Sequence, residues 1–176
     1  MSNPFILTAA LPPDVAAWAD GLRKAHFPPE RNHLHAHVTI FHSFAPSLLE
    51  ELKSYLPRMA SEFAPPEGRI SGVMDLGSGT AIRLDAPQLL TMRGQIADHF
   101  HGCLTDQDLH EPRPHITIQN KVTKQAARKL QAELKPMLEP WMDRGAFVFP
   151  AMELHRYLGG PWEHVKSFSF RGEARA

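Results

Sequence analysis

The chain has 176 residues, 43% of them hydrophobic, with 19 Lys plus Arg balancing 19 Asp plus Glu. That length buries a real core in one domain or two small lobes. Zero net charge excludes long-range attraction to duplex nucleic acid, and no apolar run approaches the roughly 20 residues of a membrane span. A single cysteine, Cys103, excludes an internal disulfide and any cysteine-based metal cluster. No secretory pattern is visible in Met1-Ser2-Asn3-Pro4, so a cytoplasmic location is expected. Cys103 itself reads as a small buried hydrophobe on a helix.

In chain order, Phe5 to Leu11 is an apolar run closed by Pro12-Pro13, the mark of a first strand. Asp14 starts a helix with Val15, Trp18 and Leu22 on one side, ending before Pro28-Pro29. A loop leads through His33-Leu34-His35-Ala36 into His37-Val38-Thr39-Ile40, which reads as a strand. Pro46 or Ser47 opens a second helix, with Leu48, Leu49, Leu52, Leu56 and Met59 inward. Arg69 to Leu76 and Thr80 to Leu84 form a hairpin around Gly77-Ser78-Gly79. A third helix runs from about Gln88 to His101, followed by an irregular connection from Gly102 to Arg113.

The second His-x-Thr strand is Pro114-His115-Ile116-Thr117-Ile118-Gln119-Asn120. Thr123 caps a fourth helix, Lys124 to Leu138, predicted to end near Pro140. Arg144 to Phe149, Ala151 to Leu158 and Glu163 to Arg171 read as closing strands, with Gly159-Gly160-Pro161 as the sharpest turn. The two halves therefore repeat one order: strand, helix, loop, His-x-Thr strand, helix.

Side chains two apart on a strand point to one face, roughly 6.5 Å apart. His37, Thr39 and Phe41 are thus expected on one face, with Val38 and Ile40 on the other. His115, Thr117 and Gln119 are likewise set against Ile116 and Ile118. If the apolar faces enter a core and the strands lie close, a cleft holds two imidazoles and two hydroxyls. Phosphoryl transfer needs a base for the attacking oxygen, an acid for the leaving oxygen and donors for the non-bridging oxygens. Histidine supplies base and acid near neutral pH, and threonine supplies neutral donors.

The matched pair His37-Val38-Thr39-Ile40 and His115-Ile116-Thr117-Ile118 resembles the two-histidine (2H) phosphoesterase superfamily, which carries two His-x-Thr/Ser-apolar motifs about half a chain apart. The context Pro114 to Lys121 is similar to bacterial 2'-5' RNA ligase-like members. The resemblance implies a bilobal α+β fold spanning residues 1–176, a duplicated unit in which two antiparallel sheets face a central cleft with helices outside. It implies phosphodiester chemistry without metal or cofactor, commonly opening of a 2',3'-cyclic phosphate, with His37 and His115 as base and acid in an order it leaves open. Thr39 and Thr117 would hold the phosphoryl oxygens. The partners implied are RNA 3' ends or small nucleotides carrying a cyclic phosphate, with no membrane, and a monomer is expected.

Five further residues are candidate substrate contacts. Arg113 shares the face of His115 if the strand starts early, and there a guanidinium can pair with phosphate. Arg156, Tyr157 and Trp162 flank the Gly159-Gly160-Pro161 turn and offer a cation and stacking surfaces. Phe41 follows Thr39 on the open face. Three other functions fit the same residues: a nucleotide-binding module without turnover, an RNA 2'-5' end ligase, and a metallohydrolase built on His33, His35 and His37. The last is disfavoured because His33 and His37 on a straight strand stand about 13 Å apart.

Overall fold

The apolar run after Pro4 forms β1 (Phe5–Ala9), buried along its whole length in a computed structural model that describes residues 3–173. Helix α1 (Pro13–His26) starts on proline, whose fixed φ suits a first turn and whose missing N–H costs nothing there. Val15, Ala19 and Leu22 form its buried face. The chain then passes through His33–His37 into β2 (Val38–Phe44) and α2 (Leu49–Glu62), which buries Leu52, Leu56, Met59 and Ala60. Strands β3 (Glu67–Asp75) and β4 (Thr80–Asp85) pair as the expected antiparallel hairpin. Gly79 in its turn has to be glycine, since a Cβ would stand 2.1 Å from the Gln119 carbonyl oxygen.

Next come α3 (Pro87–His99), β5 (His115–Gln119) and α4 (Lys124–Asp143). Thr123 caps α4 as predicted, its hydroxyl accepting from the Ala126 amide at 3.1 Å. The helix does not stop near Pro140 but runs through Pro136 and Pro140. Each proline removes a backbone donor. Burial of Leu134 and Leu138, and stacking of Trp141 on Trp18 of α1 at 4.4 Å, outweigh that loss. The chain closes with β6 (Phe147–Val148), shorter than the Arg144–Phe149 strand expected, then β7 (Ala151–Tyr157) and β8 (Trp162–Ser169). Cys103 is exposed in the turn after α3 rather than buried on a helix, because α3 ends at His99.

The strands make two four-stranded antiparallel sheets, β2-β1-β7-β8 and β5-β4-β3-β6, so the fold is the α+β arrangement expected. Each His-x-Thr strand is the edge of its sheet, and β2 and β5 approach each other without hydrogen-bonded pairing. The units β1-α1-β2-α2 and β4-α3-β5-α4 repeat as the sequence suggested. What the sequence did not suggest is the completion of the first sheet by β7 and β8, the last strands of the chain. Val38, Ile40, Ile116 and Ile118 are buried in one cluster that also holds Leu52 and Leu56 of α2 and Met92 and Ile96 of α3.

Candidate active site

The backbone around the two motifs is matched. Between Leu7 and Thr8 the first sheet advances one residue while β2 advances two, from Phe41 to Thr39, leaving Ile40 as a bulge. Between Thr80 and Ala81 the second sheet does the same, with β5 stepping from Gln119 to Thr117 past Ile118. A bulge breaks simple alternation. Phe41 is therefore not on the open face: it is fully buried against Phe44, with the Arg93 guanidinium 4.4 Å from its ring. Gln119 is likewise turned inward, accepting from the Thr80 hydroxyl, which also reaches the Ala127 carbonyl of α4. His37, Thr39, His115 and Thr117 precede the bulges and stay half-exposed.

Both rings are held alike. His37 Nδ1 lies 2.7 Å from the His35 carbonyl oxygen, and His115 Nδ1 lies 2.7 Å from that of Arg113. A carbonyl can only accept, so Nδ1 carries the proton in each case and the neutral ring is left with a bare Nε2. Each motif residue thus presents the same nitrogen, able to take a proton when neutral or give one when charged.

Two buried arginines tie the motif strands to the opposite unit. Arg23 of α1, 3% exposed, donates through Nη1 to the Thr117 carbonyl at 2.7 Å and through Nε to that of Leu34 at 3.2 Å. Arg93 of α3, 6% exposed, donates through Nε to the Ile40 carbonyl at 3.3 Å and through Nη2 to that of Asp108. Each guanidinium therefore takes a carbonyl at the other unit's bulge, where ladder pairing is interrupted, and a second carbonyl in the loop before its own motif.

The surroundings of the rings differ. His37 borders a recess of about 490 Å³ with Trp162, His155, His164, Leu34, Thr8 and the carboxylates Asp20 and Glu153. Trp162 is tilted over the His37 ring at 4.7 Å, and His155 lies 5.2 Å beyond Trp162. Loss of hydration brings the His37 pKa down to about 4, and the nearby Arg23 guanidinium pushes the same way against the His35 carbonyl. His155, hydrogen-bonded to Thr8 Oγ1 at 3.0 Å, is also lowered to about 4 by burial and by His164. Both rings are neutral at pH 7.

His115 borders a smaller recess of about 270 Å³ with Arg113, His42, His110, Glu111, Arg93 and Asp108. The rings thus line separate recesses, on edge strands that approach each other. Thr39 and Ile40 share a narrow gap with Pro112 and Pro114, just before the second motif. Arg83 is the direct cross-strand partner of His115, its guanidinium held by Ser71.

Of the other predicted contacts, Trp162 and Arg113 reach the recesses. Arg156 does not: it pairs with Glu163 and covers the Phe5 ring. Tyr157 is exposed at the β7–β8 turn and lines neither recess. His33 and His35 border the His37 recess, and His35 faces Asp20 at 3.4 Å. Among the described residues, no group of three or more His, Cys, Asp or Glu side chains is arranged to hold a metal ion. Sequence reasoning missed His155, His42, Asp108, Arg23 and Arg93, whose roles depend on pairing between distant segments. Only a third closely placed imidazole was foreseeable, from the abundance of 11 histidines.

This architecture, with matched His-x-Thr edge strands facing one another, defines a class. The 2'-5' RNA ligase superfamily profile matches residues 11–161, and the chain belongs to that family. Among solved structures it resembles the TT0787 protein of Thermus thermophilus, at 17% identity and TM-score 0.63, covering 97% of this chain and 100% of that one. It also resembles Escherichia coli LigT complexed with 3'-AMP, at 13% identity and TM-score 0.58, covering 97% and 99%. At such identities the likeness establishes the fold. Comparison with curated protein sequences gives no match. No helix among the described residues is long and apolar enough to cross a membrane.

Proposed function

We propose that this protein is a phosphodiesterase that opens 2',3'-cyclic phosphates at RNA or nucleotide ends. The observation that carries the reading is the shared tautomer: two imidazoles, each with Nδ1–H tied to the carbonyl two residues back, each offering Nε2 from adjoining edge strands. Family membership and the 3'-AMP complex of the LigT relative support a nucleotide ligand.

His37, neutral at pH 7, suits the base. Its Nε2 takes a proton as a water oxygen attacks phosphorus, the P–O3' bond breaks, and His115 Nε2–H protonates the departing O3'. The product carries a 2'-phosphate and a free 3'-hydroxyl. Thr39 and Thr117 donate to the non-bridging oxygens, and Trp162 in the larger recess stacks on the base. Each proton transfer contributes about 10²–10⁴-fold.

The test is turnover of the four 2',3'-cyclic nucleotides, with and without a chelator. Hydrolysis to the 2'-phosphate that persists in chelator is expected. Tight nucleotide binding with no turnover would favour the binding-module reading, and joining of RNA ends through a 2'-5' linkage would favour the ligase.

A further inference from the structure

The two recesses beside the motif histidines are electrostatically unlike. The smaller contains Arg93 and Arg113, with a buried Asp108 that faces His42 Nδ1 at 3.2 Å. The larger contains Asp20 and Glu153 and no lysine or arginine. A group that brings N–H donors suits it, and a second phosphate does not.

Its two carboxylates are not equivalent. Asp20 is committed within the protein: Oδ1 accepts from the Ala36 amide and Oδ2 faces the His35 ring at 3.4 Å. The one ion-pair contact of Glu153 among the described residues is with His164 Nε2 at 3.7 Å, beyond hydrogen-bonding reach, and that nitrogen is bonded to Ser167 Oγ at 2.8 Å. With its side chain 32% exposed, Glu153 is a sheltered acceptor whose oxygens are left to a ligand.

The sheet sets where that acceptor stands. Thr39, Thr8, Glu153 and Ser167 are successive cross-strand partners on β2, β1, β7 and β8, so they form one row on the cleft face. Two strand spacings of about 4.8 Å put Glu153 roughly 10 Å from Thr39. A nucleoside reaches a similar distance from its ribose phosphate to the Watson–Crick edge of its base, and Trp162 in the same recess offers the stacking face.

We infer that Glu153 selects the base, and that the base is guanine. Guanine alone among the four presents two N–H donors side by side, N1–H and N2–H, matching the two oxygens of a carboxylate. Adenine and cytosine present one amino donor beside a bare ring nitrogen, which a carboxylate oxygen repels. Uracil fits worst, its single N–H lying between two carbonyl oxygens. This rests on the reading of the larger recess as the base subsite of a phosphodiesterase, and its binding consequence stands apart from turnover.

The experiment compares kcat/KM for the 2',3'-cyclic phosphates of guanosine, inosine, adenosine, cytidine and uridine. Guanosine is expected to exceed uridine by about 10–100-fold, the discrimination carried by one bidentate pair, with inosine, which lacks the 2-amino group, in between. In Glu153→Gln the guanosine advantage is expected to fall mainly through KM, with uridine spared. Asp20→Asn, whose side-chain oxygen still accepts from Ala36, is expected to keep the ranking. A flat ranking, another base at its head, or a guanosine advantage that survives Glu153→Gln overturns the assignment, and so does one abolished equally by Asp20→Asn. Turnover with a flat ranking leaves the phosphodiesterase reading in place. Should no substrate turn over, calorimetric binding of the five nucleoside 2'-monophosphates decides. Tightest binding of the guanosine compound, with the excess lost in Glu153→Gln, supports the base assignment even as the phosphodiesterase reading falls, and equal or absent affinity overturns it.

Discussion

His37 and His115 share a scaffold and differ in company. Each has Nδ1 held by the carbonyl two residues back, each precedes a bulge just after its threonine, and each motif strand is gripped by an arginine from the opposite unit. Beyond that the match ends. His37 lies among rings and carboxylates contributed partly by β7 and β8, while His115 lies beside Arg113, Arg83 and the Asp108-held His42. The lesson is a division of labour: duplicated backbone geometry fixes which nitrogen each ring presents, and unduplicated neighbours decide what each nitrogen does.

The largest expected effect tests the shared part. His37→Ala and His115→Ala should each lower kcat/KM for a cyclic nucleotide by about 10²–10⁴-fold, measured by steady-state kinetics. A variant that keeps wild-type activity removes its histidine from the pair. The arginine grips should also behave as equals. Arg23→Met and Arg93→Met each strand two carbonyls in the interior, and a loss of about 2–4 kcal/mol in urea unfolding is expected from each. A large cost in one and none in the other would break the equivalence of the two units.

Acid titration tests the difference. The unfolded chain protonates histidine near pH 6.5, whereas folded His37 and His155 wait until about pH 4. The unfolded state therefore binds more protons between those values, and stability falls as pH drops from about 6.5 toward 4. His155→Gln should flatten that fall by about 1–3 kcal/mol, read from urea midpoints across the range. An unaltered acid limb would show that the His37 side is no drier than the other. The smallest effect returns to the shared part: Thr39→Val and Thr117→Val should each slow turnover about tenfold, the worth of one neutral donor. Unchanged rates would take the hydroxyls out of phosphoryl binding.

Much of this was legible in the sequence. The motif pair, the helix and strand order and the buried apolar faces follow from period and punctuation. Phe41 and Gln119 were misplaced because a bulge adds one residue to one strand, and nothing in the spacing of side chains reveals it. The span of α4 across two prolines was hidden for a different reason: Leu138 and Trp141 find partners that only the folded chain supplies. His155 and Arg23 were invisible because their importance comes from Trp162, Thr8 and Thr117, far along the chain.

The position of β1 between β2 and β7 has a consequence for synthesis. A ribosome makes β1 and β2 early, but the strand that covers the other edge of β1 emerges roughly 140 residues later, a delay on the order of ten seconds. Until then the nascent protein carries an open hydrogen-bonding edge, and His37 lacks both Trp162 and His155. The recess beside His37 is therefore complete only once β7 and β8, the last strands of the chain, have been made.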